Sequence, residues 1–249
     1  MRMPKIYLSP STQEWNPYVT GTGSEEYWMS LLADELEPYL YANTIAFVRN
    51  TPEMTAASSI AQANRLGGFD FYLALHSNAS GEGQAGKNRG IIVFYYPTSS
   101  DGRRAAELFA AQLKRVYPLP DQVTTQSTTT LGEVRRPNCP ANLIELGYHD
   151  NYADARWIEN NLDPAAQAIA RGLTDYFGLP FLYPIPVRTG IVATEGSPLL
   201  LRAYPGIDGA VVGRIPNGAE VRIYGSYQGW YSVQYEGQLG YAAQAYIVG

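Results

Sequence analysis

Between Lys5 and Gly178, short apolar runs of strand length alternate with segments of helical period, and beyond that point the helical period does not return. Strands separated by amphipathic helices pair as a mostly parallel sheet whose faces the helices cover, so the alternation predicts an α/β unit. Strands are read at "KIYLS", at "IAFV" (45–48), at "FDFYLAL", at "GIIVFYY" (90–96) and at "NLIEL" (142–146). The first helix runs from Ser24 to Tyr41, where Trp28, Leu31, Leu32, Leu36, Tyr39 and Leu40 fall on one stripe. Further helices are expected over Met54–Leu66, Gly102–Val116, Tyr152–Glu159 and Pro164–Phe177. The stretch "GLPFLYPIPVRTG" carries three prolines and closes the pattern. After it come short β-prone runs cut by Gly and Pro turns, the signature of a small all-β barrel. The predicted organisation is residues 1–179, a linker at 180–188 and residues 189–249.

Composition narrows what such a chain does. With 18 basic and 23 acidic residues the net charge is −5, which argues against a phosphate-binding surface and hence against nucleic acid as a partner. One cysteine, Cys139, makes neither an internal disulfide nor a thiolate metal site. No apolar stretch has the length of a membrane span, and no signal peptide is visible at the N-terminus, so export would need another route. Twenty tyrosines suit carbohydrate or peptide contacts, and equally the ordinary use of tyrosine in β-rich surfaces.

Chemistry is expected beyond the carboxyl ends of the strands, where the loops of an open α/β sheet meet. The first strand runs into "SPSTQEWN" and the third into His76. The fifth delivers Glu145 in "LIELGYHDN", with His149 four residues later. A right-handed crossover brings the first turn of the first helix, with Glu25, over the same edge. Two carboxylates and an imidazole around one crevice make a metal and general-base set. Each residue also has a plainer reading. Glu25 follows Thr22 at capping-box spacing, and Glu26 beside it competes for the role. His76 can be a hydrogen-bonded histidine at a strand end. Glu145 is harder to read that way, since a carboxylate in an apolar strand end is costly without a partner. His149 reads as a loop residue, Cys139 as a small buried filler. The glycine-rich loop 77–90 is a substrate rim or a solvated surface loop.

"KIYLSPS", "GSEEYWMSLLADEL", "LALHSNAS" and "RRPNCPANLIELGYHDN", in this order, resemble the zinc-dependent N-acetylmuramoyl-L-alanine amidases of the amidase-3 type over roughly residues 3 to 178. The resemblance implies a twisted sheet with flanking helices. The implied reaction is hydrolysis of the amide between the lactyl group of muramic acid and L-alanine of the peptidoglycan stem peptide. It also implies that Glu25 and His76 are zinc ligands, Glu25 being the glutamate eight residues ahead of Ala33, and that Glu145 is the catalytic carboxylate. "LLLRAYPG", "VVGRIPNGAEVRIYG" and "GWYSVQYEGQLGYAAQAYI" are similar to bacterial SH3-like (SH3b) domains, which commonly bind cell-wall peptidoglycan. The matching residues Leu199, Arg202, Pro216, Gly218, Gly229, Trp230, Gly240 and Tyr241 are mostly structural.

One departure stands out. Family members usually carry a histidine just after the first strand as the first zinc ligand, and this chain has Thr12 there. Three readings stay open: His149 as third ligand, an oxygen from Gln13 or Glu14, or a domain that has lost zinc and only binds wall. The expectation is a zinc-dependent peptidoglycan hydrolase acting outside the cell, an autolysin or a phage endolysin. The alternative is a non-catalytic wall-binding protein.

Overall fold

The structure is a computed structural model and describes residues 3–249. By mutual contacts the chain divides into two compact units: Lys5–Leu36 with Phe47–Tyr176, and a second that contains Glu37–Ala46 and Phe177–Gly249.

Residues 5–177 are organised on a six-stranded sheet of order β2-β1-β3-β6-β4-β5. Its elements in chain order are β1 (Lys5–Pro10), α1 (Glu25–Ala42), β2 (Ala46–Arg49), α2 (Ala56–Leu66), β3 (Phe71–Asn78), β4 (Ile91–Tyr95), α3 (Ser100–Leu113), β5 (Val123–Ser127), α4 (Gly132–Arg135), β6 (Ala141–Tyr148), α5 (Tyr152–Asn160) and α6 (Leu162–Phe177). Every element expected from the sequence is present. The sequence pattern passed over β5, whose VTTQS is exposed after its first residue, and the one-turn helix α4.

β1/β3, β3/β6 and β4/β5 pair in parallel, while β4 runs antiparallel to β6. The reversal follows from the connection between β3 and β4. Residues 79–90 contain no helix, and without a crossover element the chain turns back at the sheet edge where it arrived. β4 therefore begins at the edge where β3 and β6 end. The sheet's centre is buried on both faces: Ile6, Leu8, Phe71, Leu73, Leu75 and Ile144 are wholly inaccessible on one, Tyr7, Tyr72 and Ala74 on the other. Helix α6 lies close against α3 at Gly172, where a Cβ would collide with the Phe109 ring.

The C-terminal strands β7 (Arg188–Val192), β8 (Leu199–Arg202), β9 (Val211–Ile215), β10 (Glu220–Tyr227), β11 (Trp230–Tyr235), β12 (Gln238–Ala243) and β13 (Ile247–Val248) form one sheet of order β13-β7-β10-β11-β12-β8-β9. Its neighbours pair antiparallel around a core that includes Val192, Leu201, Ile215, Ile223 and Val233. The residues read as structural take such roles: Leu199 and Tyr241 are buried, and Arg202 donates to the Gly209 carbonyl. In the proline-rich stretch before β7, Leu182 is buried and both its backbone groups bond to the Asn43 side chain.

Candidate active site

His76 is the hub. It sits at the end of β3 with each ring nitrogen facing a carboxylate: Nδ1 lies 2.8 Å from Glu25 Oε1 and Nε2 lies 2.9 Å from Glu133 Oε2. All three side chains are almost fully buried. Glu25 is free to reach the imidazole because another residue caps its helix. Ser24 Oγ accepts the Tyr27 N–H at 3.2 Å, and the Thr22 hydroxyl donates instead to Glu159 at 2.6 Å. The capping reading of Glu25 thus gives way to the site reading. Asn16 Nδ2 donates to the other oxygen of Glu25 at 2.8 Å.

Glu145 joins the group through the sheet. His76 and Glu145 are register partners on the parallel pair β3/β6, so their side chains leave the same face. Glu145 Oε2 is sealed from solvent with no hydrogen-bond partner. Two residues on, Gly147 holds a φ of +139° and the β3/β6 register shifts. That bend turns the chain out of the sheet into the loop that carries His149.

The charges follow from these contacts. Burial pushes Glu25 up, but hydrogen bonding and charge from His76, with Asn16 and Ser11, prevail and hold its carboxyl below the usual range. Glu133 behaves alike, with burial overcome by His76, Ser9 and Tyr72. Burial opposes charge on His76, yet Glu133 and Glu25 raise its pKa well above the ordinary imidazole value. Burial lifts Glu145 to about 7, helped by repulsion from Glu25 and Glu133 and opposed by His76. The metal-free cluster is therefore an imidazolium held between two carboxylates, with a third carboxyl left unpaired. Among the described residues no lysine or arginine pairs with any of the three acids.

This donor set fits a divalent cation. Glu25 Oε1 and His76 Nδ1 lie 2.8 Å apart, so a cation beside them meets an oxygen and a nitrogen donor at one point. An excess of buried carboxyl groups over positive charge favours it as well. Among the described residues no three of His, Cys, Asp and Glu form a ready-made cage, which leaves room for a third protein donor of another type. Gln13 stands there. Its amide nitrogen lies 3.4 Å from both Glu25 Oε1 and His76 Nδ1. Its oxygen accepts from Asn16 at 3.2 Å, and the two ends of such an amide exchange by a half-turn. Thr12 lines the adjoining cleft of about 340 Å³, together with Ser11, Gln13, Trp15, His76 and Glu133. Glu14 is exposed.

His149 is placed beside this point. Its Nδ1 lies 3.0 Å from the Ser77 carbonyl and 3.2 Å from Ser77 Oγ, and its ring stacks on Tyr18. Among the described residues no hydrogen bond links it to Glu25, His76 or Glu145. The reading of single residues missed Glu133, because α4 is one turn long and only the fold brings it to His76, 57 positions away. The one available signal was an acid between the apolar Leu131 and Val134.

The glycine-rich loop after β3 is tied down from the loop after β6. Asp150 Oδ2 accepts from the Ser80 and Gly86 N–H groups, each at 3.1 Å, and Asn151 Nδ2 donates to the Gly86 carbonyl. Asp154, wholly buried, accepts from Arg89, Gly90, Tyr117 and Tyr148.

No curated protein is similar to the sequence. Among solved structures, the fold is similar to N-acetylmuramoyl-L-alanine amidase AmiC2 of Nostoc punctiforme, at a TM-score of 0.61 and 17% identity, over 70% of this chain and 97% of that one. An N-acetylmuramoyl-L-alanine amidase from Clostridium difficile 630 gives 0.61 at 18% identity, over 72% and 98%. The catalytic domain of the CD27L endolysin targeting Clostridia difficile gives 0.53 at 21%, over 69% and 97%. The pattern of bacterial SH3 domains matches residues 197–248. The pattern of N-acetylmuramoyl-L-alanine amidases matches residues 11–175, more than half of the protein, and the chain belongs to that family.

Proposed function

We propose that this amidase cleaves the bond between N-acetylmuramic acid and L-alanine of the stem peptide with zinc held by Glu25, His76 and Gln13, and with Glu145 as the proton carrier. The observation that carries this reading is the meeting of Glu25, His76 and Gln13 at one point, with Glu145 on the same sheet face. Zinc, when bound, lowers the pKa of water and polarises the scissile carbonyl.

The chain's own residues do the rest. Glu145, unpaired and with a pKa lifted to about 7, is suited to take the proton of the attacking water. The same carboxylic acid then faces the nitrogen of the departing L-alanine and returns that proton, so the amine leaves neutral. Glu25 is fixed by Asn16 before substrate arrives. His149 acts on the strand end: its hold on Ser77 keeps the residue after His76 in place.

Substrate reaches the site past the loop of residues 77–90, whose small residues let a glycan strand lie close. In the C-terminal unit, a groove of about 830 Å³ lined by Ile207, Trp230 and Tyr246, among others, offers aromatic and apolar surface of the kind that holds cell-wall polymer. Among the described residues no helix is long and apolar enough to cross a membrane. Retention of three acids around His76 disfavours the reading of a wall-binding shell without activity. The deciding experiment is release of stem peptide from purified wall fragments by protein stripped of metal, then supplied with zinc. Activity lost on stripping and regained with zinc supports the proposal; undiminished activity after stripping overturns the zinc assignment.

A further inference from the structure

Glu133 is buried with a hydrogen-bond partner on each carboxylate oxygen, and nothing in the proposed reaction uses it directly. Its Oε1 accepts the Ser9 hydroxyl at 2.6 Å and the Tyr72 hydroxyl at 2.7 Å, which leaves Oε2 for the imidazole. The two donors are themselves fixed. Tyr72 is wholly buried and stacks on Tyr7 with ring centroids 5.1 Å apart. Asn50 Nδ2 lies 3.3 Å from Ser9 Oγ and also bonds to the Pro10 carbonyl and to Ser59. A hydroxyl that donates to a carboxylate holds one orientation, so these contacts set the plane of the Glu133 carboxyl.

From this we infer that Glu133 is a positioning residue for the metal site: it holds the proton on His76 Nε2, which leaves Nδ1 as the nitrogen that meets zinc beside Glu25. The inference rests on the zinc reading above and assigns a residue that reading does not need. The physical ground is the division of labour on an imidazole. A ring nitrogen that donates to a carboxylate fixes the tautomer and the ring angle, and makes the opposite nitrogen the better ligand. Glu25 and Glu133 stand against different nitrogens of one ring, so a single ion at Nδ1 meets Glu25 and not Glu133. The network also accounts for a buried acid on a one-turn helix, where neither a cap nor a lysine or arginine satisfies it.

The test measures zinc affinity by competition with a chromophoric chelator, and the His76 ring signals by nitrogen-15 NMR. In Glu133→Gln, zinc affinity is expected to fall about 10- to 100-fold with one ion still bound per chain. In the metal-free wild type, the Nε2 proton is expected as a slowly exchanging, downfield resonance that Glu133→Gln loses. Tyr72→Phe keeps the acid and removes one orienting hydroxyl, so it tests the same network if Glu133→Gln does not fold; a severalfold loss of affinity is expected. Unchanged affinity and an unchanged Nε2 resonance in the variants overturn the inference. So does complete loss of the ion in Glu133→Gln alongside retained binding in Glu25→Gln, which would make Glu133 itself the ligand. Failure of the wild type to bind zinc sinks the zinc reading alone, and the Nε2 resonance still decides the role of Glu133.

Discussion

His76 and Glu145 occupy paired positions on neighbouring parallel strands, and the pairing gives the proposed base a fixed place relative to the imidazole. Paired positions on adjacent strands lie about 4.8 Å apart. Glu145→Gln keeps that geometry and removes the proton acceptor. Peptide release is expected to fall by about 10² to 10⁴, with zinc affinity within a fewfold of wild type. A variant that retains wild-type turnover removes Glu145 from the chemistry.

Gln13 follows Thr12, the position where the family resemblance implied an imidazole, and its amide lies 3.4 Å from both Glu25 Oε1 and His76 Nδ1. A neutral amide is a weaker zinc donor than imidazole, so Gln13→His is expected to tighten zinc binding by roughly tenfold, about 1.4 kcal/mol, and Gln13→Ala to weaken it. Chelator competition reads both. If neither substitution moves the affinity, Gln13 is no ligand and His149 becomes the residue to replace.

Glu145 also makes the metal-free protein sensitive to pH. Its folded pKa is raised from 4.5 to about 7, so between those values the folded state binds more proton than the unfolded one and stability falls as pH rises. The loss amounts to about 3 kcal/mol at most. Glu25 and Glu133, both lowered, act in the opposite sense: their contribution is present above the ordinary carboxyl range and is lost as acid is added. His76, raised, adds stability that is complete below pH 6.5 and is lost as pH climbs through its folded value. Melting temperatures of the stripped protein from pH 5 to 7.5 check the sum. The Glu145→Gln variant is expected to lose less stability across this range than wild type. An equal loss in both places the effect elsewhere.

Asp154 is wholly buried and binds Arg89 at 2.8 Å. Asp154→Ala strands a cation and three other donors, at a cost of about 3 to 5 kcal/mol. Chemical denaturation measures it, and a change under 1 kcal/mol would show that water replaces the carboxylate freely.

For the C-terminal groove, Ile207→Asp and Tyr246→Ala are expected to reduce co-sedimentation with wall fragments severalfold, while turnover of short soluble fragments is unchanged. Equal pelleting by wild type and variants assigns wall attachment to another surface. Ile207 is 80% exposed, so its replacement does not disturb the core.

The fold was legible because its signal is local. The stripes of α1 and α6 and the apolar runs of β3 and β6 stand in the sequence as they stand in the structure. β5 was not, because VTTQS is polar on both faces beyond Val123 and shows neither period. Of the site, Glu25, His76 and Glu145 could be found from their placement at element ends and their resemblance to a family. Glu133 could not, since a short helix has no period of its own and its meeting with His76 depends on tertiary structure. The antiparallel turn of β4 was equally invisible until the helix-free connection before it was seen.

The short segment from Tyr148 to Asp154 clasps two loops at once: the His149 carbonyl receives the Val19 N–H, while Asp150, Asn151 and Asp154 fasten the glycine-rich loop. Lengthening or shortening that clasp would shift the two lips together, so evolutionary tuning of what enters is channelled away from it. The free ground for such variation is the exposed tip at residues 81–84, where inserted residues would alter reach without loosening the fastenings from Asp150, Asn151 and Asp154.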